Sequence, residues 1–488
     1  MIPVTSKASN VCAYCRVRKQ RCDRMWPQCS RCAAKLTPCD YTPHKELPSR
    51  LDDSPSLYGE LEGSGHDLTA RGREDLIQAA SDWVQDAPGS RNKFSVVVHA
   101  ILELADVSVT TIMDEYARCI HSWSPLMDED VYLSGADRLS RRDRPPSPLL
   151  LLLVFLVTRR TCAYPREAQR RTRVLYTTLK QLLVLLQTSN DVEFELVQST
   201  MLLAVYECAN GMATQAYLTL SSCSGMLAIV ESNVLQGRER RSQDEVCSLK
   251  VAALVLDRMI ALSALTTSLP LIYPTNSPLA RSILDALSGT IPPPSLHPSA
   301  VSPRKLYIRA RVALESGRIL EYIYTLKNGL PSQETYEDVE SGIAGLIKSL
   351  VKKAEPYTWM MCDAIALAFC SQLLLHQAQA LNTALSLAPK TNLAFCYARR
   401  MAWDMVRVGI EKIDVETYIG QLPVAGLCCV LRAAVAVMET QEVAEAVDPD
   451  ELVGLERIMI AFKERWGVGE EYWKRIQAAP FIRPAQAP

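Results

Sequence analysis

Six of the 16 cysteines in this chain fall within 28 residues: Cys12, Cys15, Cys22, Cys29, Cys32 and Cys39, spaced C-x2-C-x6-C-x6-C-x2-C-x6-C. Thiolates are soft, strong ligands, and structural zinc takes four ligands of this kind in a tetrahedron. The segment divides into two halves of one design, C-x2-C-x6-C at 12–22 and again at 29–39. Two tetrahedral sites need eight ligand positions, so six thiolates complete both only if two sulfurs each serve two metals. The pseudo-symmetry suggests that the bridges are equivalent residues of the two halves, and Cys12 with Cys29 is the natural pair.

Metal also accounts for folding. A stretch of about 30 residues cannot bury enough apolar surface to offset chain entropy, whereas coordination supplies on the order of 10 kcal/mol per structural zinc. A disulfide knot is the rival, and it belongs to secreted domains. Here Met1 to Asn10 is polar and lacks the apolar core of a secretory signal, so a reducing compartment is expected. RING and LIM modules need more ligands and usually a histidine, and His44 lies outside the repeat. The other ten cysteines (Cys119, Cys162, Cys208, Cys223, Cys247, Cys362, Cys370, Cys396, Cys428 and Cys429) are scattered through apolar stretches and read as core filler.

Charge is distributed unevenly around this segment. Residues 1–45 hold nine Lys or Arg against Asp23 and Asp40, a balance of +7, which leaves −8 on the remainder of a chain whose net charge is −1. A compact basic head on an acidic body is the footprint of a nucleic-acid binder, because phosphate neutralisation supplies the sequence-independent part of affinity. Six thiolates and two zinc ions together carry −2, which lowers the head to about +5. Four of the six residues between Cys15 and Cys22 are basic: Arg16, Arg18, Lys19 and Arg21. Pinned between metal ligands on a short helix, such side chains can enter the major groove and donate to guanine O6 and N7.

Residues 12–39, CAYCRVRKQRCDRMWPQCSRCAAKLTPC, resemble the binuclear zinc cluster of fungal transcription factors. The resemblance implies two zinc ions per chain, one held by Cys12, Cys15, Cys22 and Cys29 and the other by Cys12, Cys29, Cys32 and Cys39. It implies base reading at Arg18 and above all Lys19, usually of a CGG triplet in double-stranded DNA, with Arg16, Arg21, Arg31 and Lys35 suited to phosphates. Pro27 fits the turn between the halves, and Trp26 is expected to pack over it. Nuclear residence, action on genes transcribed by RNA polymerase II and contact with the transcription machinery follow as expectations of the same resemblance. The basic stretch Arg16 to Arg24 also reads as a weak nuclear import signal.

From Thr42 to about Arg73 the chain is polar and interrupted by Pro43, Pro48 and Pro55 and by Gly59, Gly63, Gly65 and Gly72, which predicts a flexible connection without a heptad zipper. That leaves open a monomer on one triplet or a homodimer formed through the body. Beyond it the apolar spacing is helical: Leu175, Leu179, Leu182, Leu183 and Leu186 share one face, as do Val251, Leu254, Val255 and Met259. Ser302, Pro303 and Gly329 punctuate another helix, behind a loop rich in proline from Pro292 to Pro303. The apolar run Leu149 to Val157 has nine residues, against roughly 20 for a bilayer span, and predicts a buried helix and no membrane partner.

The expected fold is thus a small zinc-stabilised head of two short helix-loop halves followed by a large all-α regulatory domain. Its divisions are a zinc cluster at residues 1–45, a flexible linker at 46–90, the helical domain at 91–480 and a tail at 481–488. Stretches beginning at Tyr116, Leu175, Val205 and Val255 resemble the helical regulatory domain of the same fungal factors, especially regulators of secondary-metabolite gene clusters. Tyr116, His121, Trp123 and Asp257 in these stretches read as packing or capping groups.

Two rival classes compete with this reading. A helical enzyme of the terpenoid-synthase kind needs paired acidic metal-binding motifs; Asp128, Glu129 and Asp130 form one acidic run, but Phe194 stands where the second motif needs Ser or Thr. No nucleophile elbow, phosphate loop, HExxH or dinucleotide fingerprint appears, and no catalytic residue is expected. A zinc-stabilised interaction scaffold would lack sequence preference on DNA.

Overall fold

The computed structural model describes residues 11–12, 15, 20–25, 29–35, 68, 70–85, 87–121, 123–127, 147–158, 165–188, 192–265, 268–288, 303–353, 362–382, 389–412, 424–440 and 448–478. The chain divides into two compact units, Met1–Ser64 and Gly65–Pro488. The first carries a short helix, α1 (Ser30–Ala34), beside a separate cluster of buried sulfurs.

The second unit is helical throughout, with no β-strand among its described residues. It opens with α2 (Ala70–Val84), α3 (Ser90–Leu104) and α4 (Val109–Tyr116), the last running into a π-helical turn at Ala117–His121. There follow α5 (Pro148–Thr158), α6 (Pro165–Leu186), α7 (Phe194–Ala209), α8 (Ala213–Leu235) and α9 (Gln243–Ser263). The second half holds α10 (Pro278–Ser288), α11 (Pro303–Lys327), α12 (Tyr336–Lys353), α13 (Cys362–Asn382) and α14 (Pro389–Lys412), then α15 (Val424–Glu439), α16 (Pro449–Arg465) and α17 (Val468–Ala478). A zinc head with an all-α body is therefore the architecture, as the sequence indicated.

Patterning decides which helices are central. In α5 every residue from Leu149 to Thr158 is buried, so the nine-residue apolar run is a core helix packed by α4 and α7. α7 and α15 are likewise buried nearly all round, as expected of helices that meet neighbours on several sides. α6 buries one stripe, Leu175, Leu179, Leu182, Leu183 and Leu186, and α9 buries Val251, Leu254, Val255 and Met259. α8 is long and apolar enough to cross a bilayer, but it packs along α7 and α9 through Leu220, Cys223, Leu227 and Val230.

Helix ends follow local chemistry. α9 starts in a reciprocal cap: Ser242 Oγ accepts the Glu245 N–H at 3.2 Å, and the Glu245 carboxylate accepts the Ser242 N–H at 2.8 Å. α11 begins at Pro303 as read, while Ser302 and the Pro292–Pro298 loop lie outside the described residues. It stops at Gly329, whose φ of 63° lets Leu330 N–H reach Thr325 O at 2.8 Å and Gly329 N–H reach Leu326 O at 3.3 Å.

The connection differs from the expected 46–90 linker. The second unit begins at Gly65, and α2, within that span, buries Leu76, Ala79 and Ala80 and packs on α3 and α6. Two of its three buried core positions are alanines, which fill a helix interface but barely raise the apolar signal of the polar sequence around them. The described cysteines of the body are buried or half-buried, in keeping with core filler; Cys162 lies outside the described residues.

Charged groups are buried at the crossings. Asp257 accepts the Ile272 and Tyr273 amides, both at 3.1 Å, and Arg258 Nη1 at 2.5 Å, which makes it the cap of a loop. Tyr116 hydroxyl accepts the Leu126 N–H at 3.2 Å, and Trp123 Nε1 donates to Cys119 O at 3.0 Å. Burial, helped by the Arg309 charge, takes His121 down to about 3, so its ring is neutral at ordinary pH. Arg309 itself pairs with Asp363 at 2.8 Å, joining α11 to α13. Arg465 stacks on Trp466 at 3.8 Å and donates to Val157 O and Thr158 O at 3.2 and 3.4 Å, closing the carboxyl end of α5.

Arg258 is fully buried and donates through Nε to Ala313 O at 3.0 Å. A methyl group at Gly317 would lie 2.9 Å from that same Nε, so the guanidinium occupies the space a side chain there would need. Gly317→Ala is expected to destabilise the body by about 1 to 3 kcal/mol, the usual range for overpacking. Chemical denaturation followed by circular dichroism checks this; unchanged stability would mean that Arg258 can move aside.

Candidate metal centre and nucleic-acid interface

Sulfur positions define the amino-terminal site. The Sγ atoms of Cys12, Cys15, Cys29 and Cys32 all lie within 4.8 Å of one another and are buried. Close pairs are Cys12–Cys29 at 3.9 Å, Cys12–Cys32 at 3.7 Å, Cys15–Cys29 at 3.8 Å and Cys22–Cys12 at 3.7 Å. A zinc–sulfur bond of about 2.3 Å in a tetrahedron gives an S···S edge of about 3.8 Å. The donor set therefore fits zinc in both chemistry and spacing. Each close pair also falls within one of the two ligand sets implied by the sequence resemblance, with Cys12–Cys29 the edge common to both. Cys39 lies outside the described residues.

Short-range structure places these sulfurs. Cys29 is the N-cap of α1: its Sγ accepts the Cys32 N–H at 3.4 Å, and its carbonyl accepts the Ala33 N–H at 2.9 Å. The C-x2-C spacing thus sets two thiols one helical turn apart. In the first half, Gln20 N–H donates to Cys15 O at 2.8 Å. Arg24 follows with φ of 59°, a left-handed turn at a residue with a side chain.

Asp23 spans the halves. Its carboxylate accepts the Ser30 N–H at 3.1 Å, the Met25 N–H at 3.4 Å and the Ser30 hydroxyl. The Ser30 hydroxyl bond, foremost, holds the Asp23 carboxyl below the usual range. A second link runs from Arg31 Nη1 to Gln20 Oε1 at 3.1 Å. Sequence reasoning missed both links. Their one signal was an acid directly after the third cysteine and a serine directly after the fourth.

Electrostatics explains why the sulfurs need a cation. Burial pushes the Cys29 thiol up to about 12, with neighbouring thiols adding to it, and burial also raises Cys15. At Cys22 burial opposes ionisation, but backbone hydrogen bonds at Cys12 and Arg24 outweigh it and bring the thiol down to about 7. Crowded thiolates repel, and a divalent ion removes that penalty. Arg21, Arg31 and Lys35 are exposed, with Lys35 at the carboxyl end of α1. Arg16, Arg18 and Lys19 lie outside the described residues, as do Trp26 and Pro27.

Residues 10–47 match the family model of the fungal Zn(2)-Cys(6) binuclear cluster domain. The chain carries such a zinc-binding domain. An uncharacterized transcriptional regulatory protein of Saccharomyces cerevisiae is 41% identical over 51 residues, covering 10% of this chain and 6% of that protein. The depudecin biosynthesis cluster-specific transcription activator of Fusarium langsethiae is 27% identical over 142 residues, covering 27% of this chain and 22% of that protein. The match thus spans less than a quarter of the length of either curated relative. No solved structure matches the chain significantly.

Because the domain folds on its metal, chelation should unfold it and spare the body. Far-ultraviolet circular dichroism of chelated protein is expected to keep nearly all of its helical signal while zinc is lost. Protons compete with zinc for thiolates, so the metal should be retained at neutral pH and released as pH falls, read with a chromophoric chelator. Full retention at pH 4 would contradict thiolate ligation.

Proposed function

We propose that this chain is a sequence-specific DNA-binding regulator of genes transcribed by RNA polymerase II, acting in the nucleus. The observation that carries the reading is the close set of cysteine sulfurs at tetrahedral-edge distances inside a basic segment that matches the Zn(2)-Cys(6) domain. Two zinc ions per chain would be held by these cysteines, one by Cys12, Cys15, Cys22 and Cys29 and the other by Cys12, Cys29, Cys32 and Cys39.

Bound there, zinc would play a structural part, since four cysteine thiolates per ion would fill its tetrahedron. The chain's own residues do the reading. Lys19 and Arg18 donate to guanine edges of a CGG-type triplet in the major groove, and Arg16, Arg21, Arg31 and Lys35 neutralise phosphates and fix the register. The 65–488 unit is assigned the regulatory role, including contacts with the transcription machinery and any homodimer contact. Control of a secondary-metabolite gene cluster is supported by the likeness to the depudecin cluster activator.

Lys19→Ala is expected to keep both zinc ions and lose sequence preference. Each good base contact is worth roughly 1 to 3 kcal/mol, about fivefold to more than a hundredfold in discrimination. Fluorescence anisotropy with CGG-containing and scrambled duplexes measures it. A wild-type chain that binds both alike would identify a zinc-stabilised scaffold instead, and a Lys19→Ala chain with intact preference would move base reading to other residues.

A further inference from the structure

We propose that Asp23 is a positioning residue that locks the two cysteine halves into one rigid reading surface, with the Gln20–Arg31 pair as a second strut. The inference rests on the DNA-reading function proposed above and deepens it.

Sulfur ligation fixes where the Sγ atoms sit but leaves each cysteine side chain free to rotate about its own bonds, so halves joined by metal alone can still tilt. Asp23 removes that freedom. It adjoins Cys22, the last cysteine of the first half, and holds both the amide and the hydroxyl of Ser30, the residue after Cys29, which begins the second. Gripping a backbone amide at the first residue of α1 fixes the direction of that helix as well as its position. Gln20 and Arg31 repeat the connection from the other side, at 3.1 Å. Three of the positions 20–23 are thereby tied to 29–31: Gln20 to Arg31, Asp23 to Ser30, and Cys22 to Cys29, whose sulfurs lie within 4.8 Å. Recognition of base edges tolerates misplacement of only about 0.5 Å, so a tilt between halves matters.

Charge makes the assignment sharper. Asp23 is one of two acids among nine basic residues in the first 45, and its carboxylate is exposed. An anion on a surface meant for phosphates works against affinity. Removing it should therefore tighten binding to every duplex if charge were all it contributed. The positioning role predicts the opposite sign.

The test uses the full chain with Asp23→Ala and Asp23→Asn, the latter keeping an oxygen that can accept the Ser30 amide. Expected for Asp23→Ala are unchanged zinc per molecule, zinc release to a chelator about threefold to tenfold faster, and a comparable loss of affinity for a CGG-containing duplex. Asp23→Asn should recover most of both. Because the carboxylate also lies within 4.8 Å of the Cys22 and Cys29 sulfurs, cobalt-substituted protein is examined as well. Its visible spectrum should stay that of all-thiolate coordination in both variants. Wild-type release rates, tighter binding in Asp23→Ala, or an altered cobalt spectrum would each overturn the assignment. If the wild-type chain does not distinguish the duplexes, the DNA-reading function falls, and the release rates alone decide the brace.

Discussion

Sulfurs brought within 3.9 Å of one another cannot all carry charge unless a cation lies among them. In the amino-terminal unit that constraint ties folding to metal: burial holds the Cys15 and Cys29 thiols protonated, and a bound divalent ion would convert them to ligands as the fold closes. The basic residues then have two jobs. They offset the negative charge of the metal–thiolate core, and the surplus faces outward. Arg21, Arg31 and Lys35 being exposed is the part of that division visible in the structure.

The repeat of cysteines was legible because ligand spacing is a local demand: C-x2-C places two thiols one turn apart whatever surrounds them. The central helices were legible for a similar reason, since α6 and α9 write their buried stripe directly into leucine and valine spacing. What escaped depends on approach through space. Asp23 meets Ser30 only because folding brings the two halves together, and their places after the third and fourth cysteines are too slight a signal to mark them as partners. α2 escaped because alanines seal its interface. The crowding of Gly317 by Arg258 joins two helices far apart in the chain and leaves no local trace.

The body uses buried charge as a register device. A pair such as Arg309–Asp363 contributes little net stability against a well-packed apolar alternative, but a helix displaced by one turn would leave both charges unmatched. Asp257 acts in the same way on a loop, fastening the Ile272 and Tyr273 amides to the middle of α9. A body built on helices buried nearly all round, such as α5 and α7, needs such marks, because apolar surfaces alone allow many nearly equivalent packings.

Arg465 sits more than 300 positions downstream of the carbonyls it closes on α5. The carboxyl-terminal helices are accordingly part of the keystone of this unit, not an appendage to it. Shortened versions that stop before α16 would leave the most apolar rod of the interior with a frayed, thirsty carboxyl end. Loss of function in such deletions would then report collapse of the scaffold, and would say nothing about where an effector region resides.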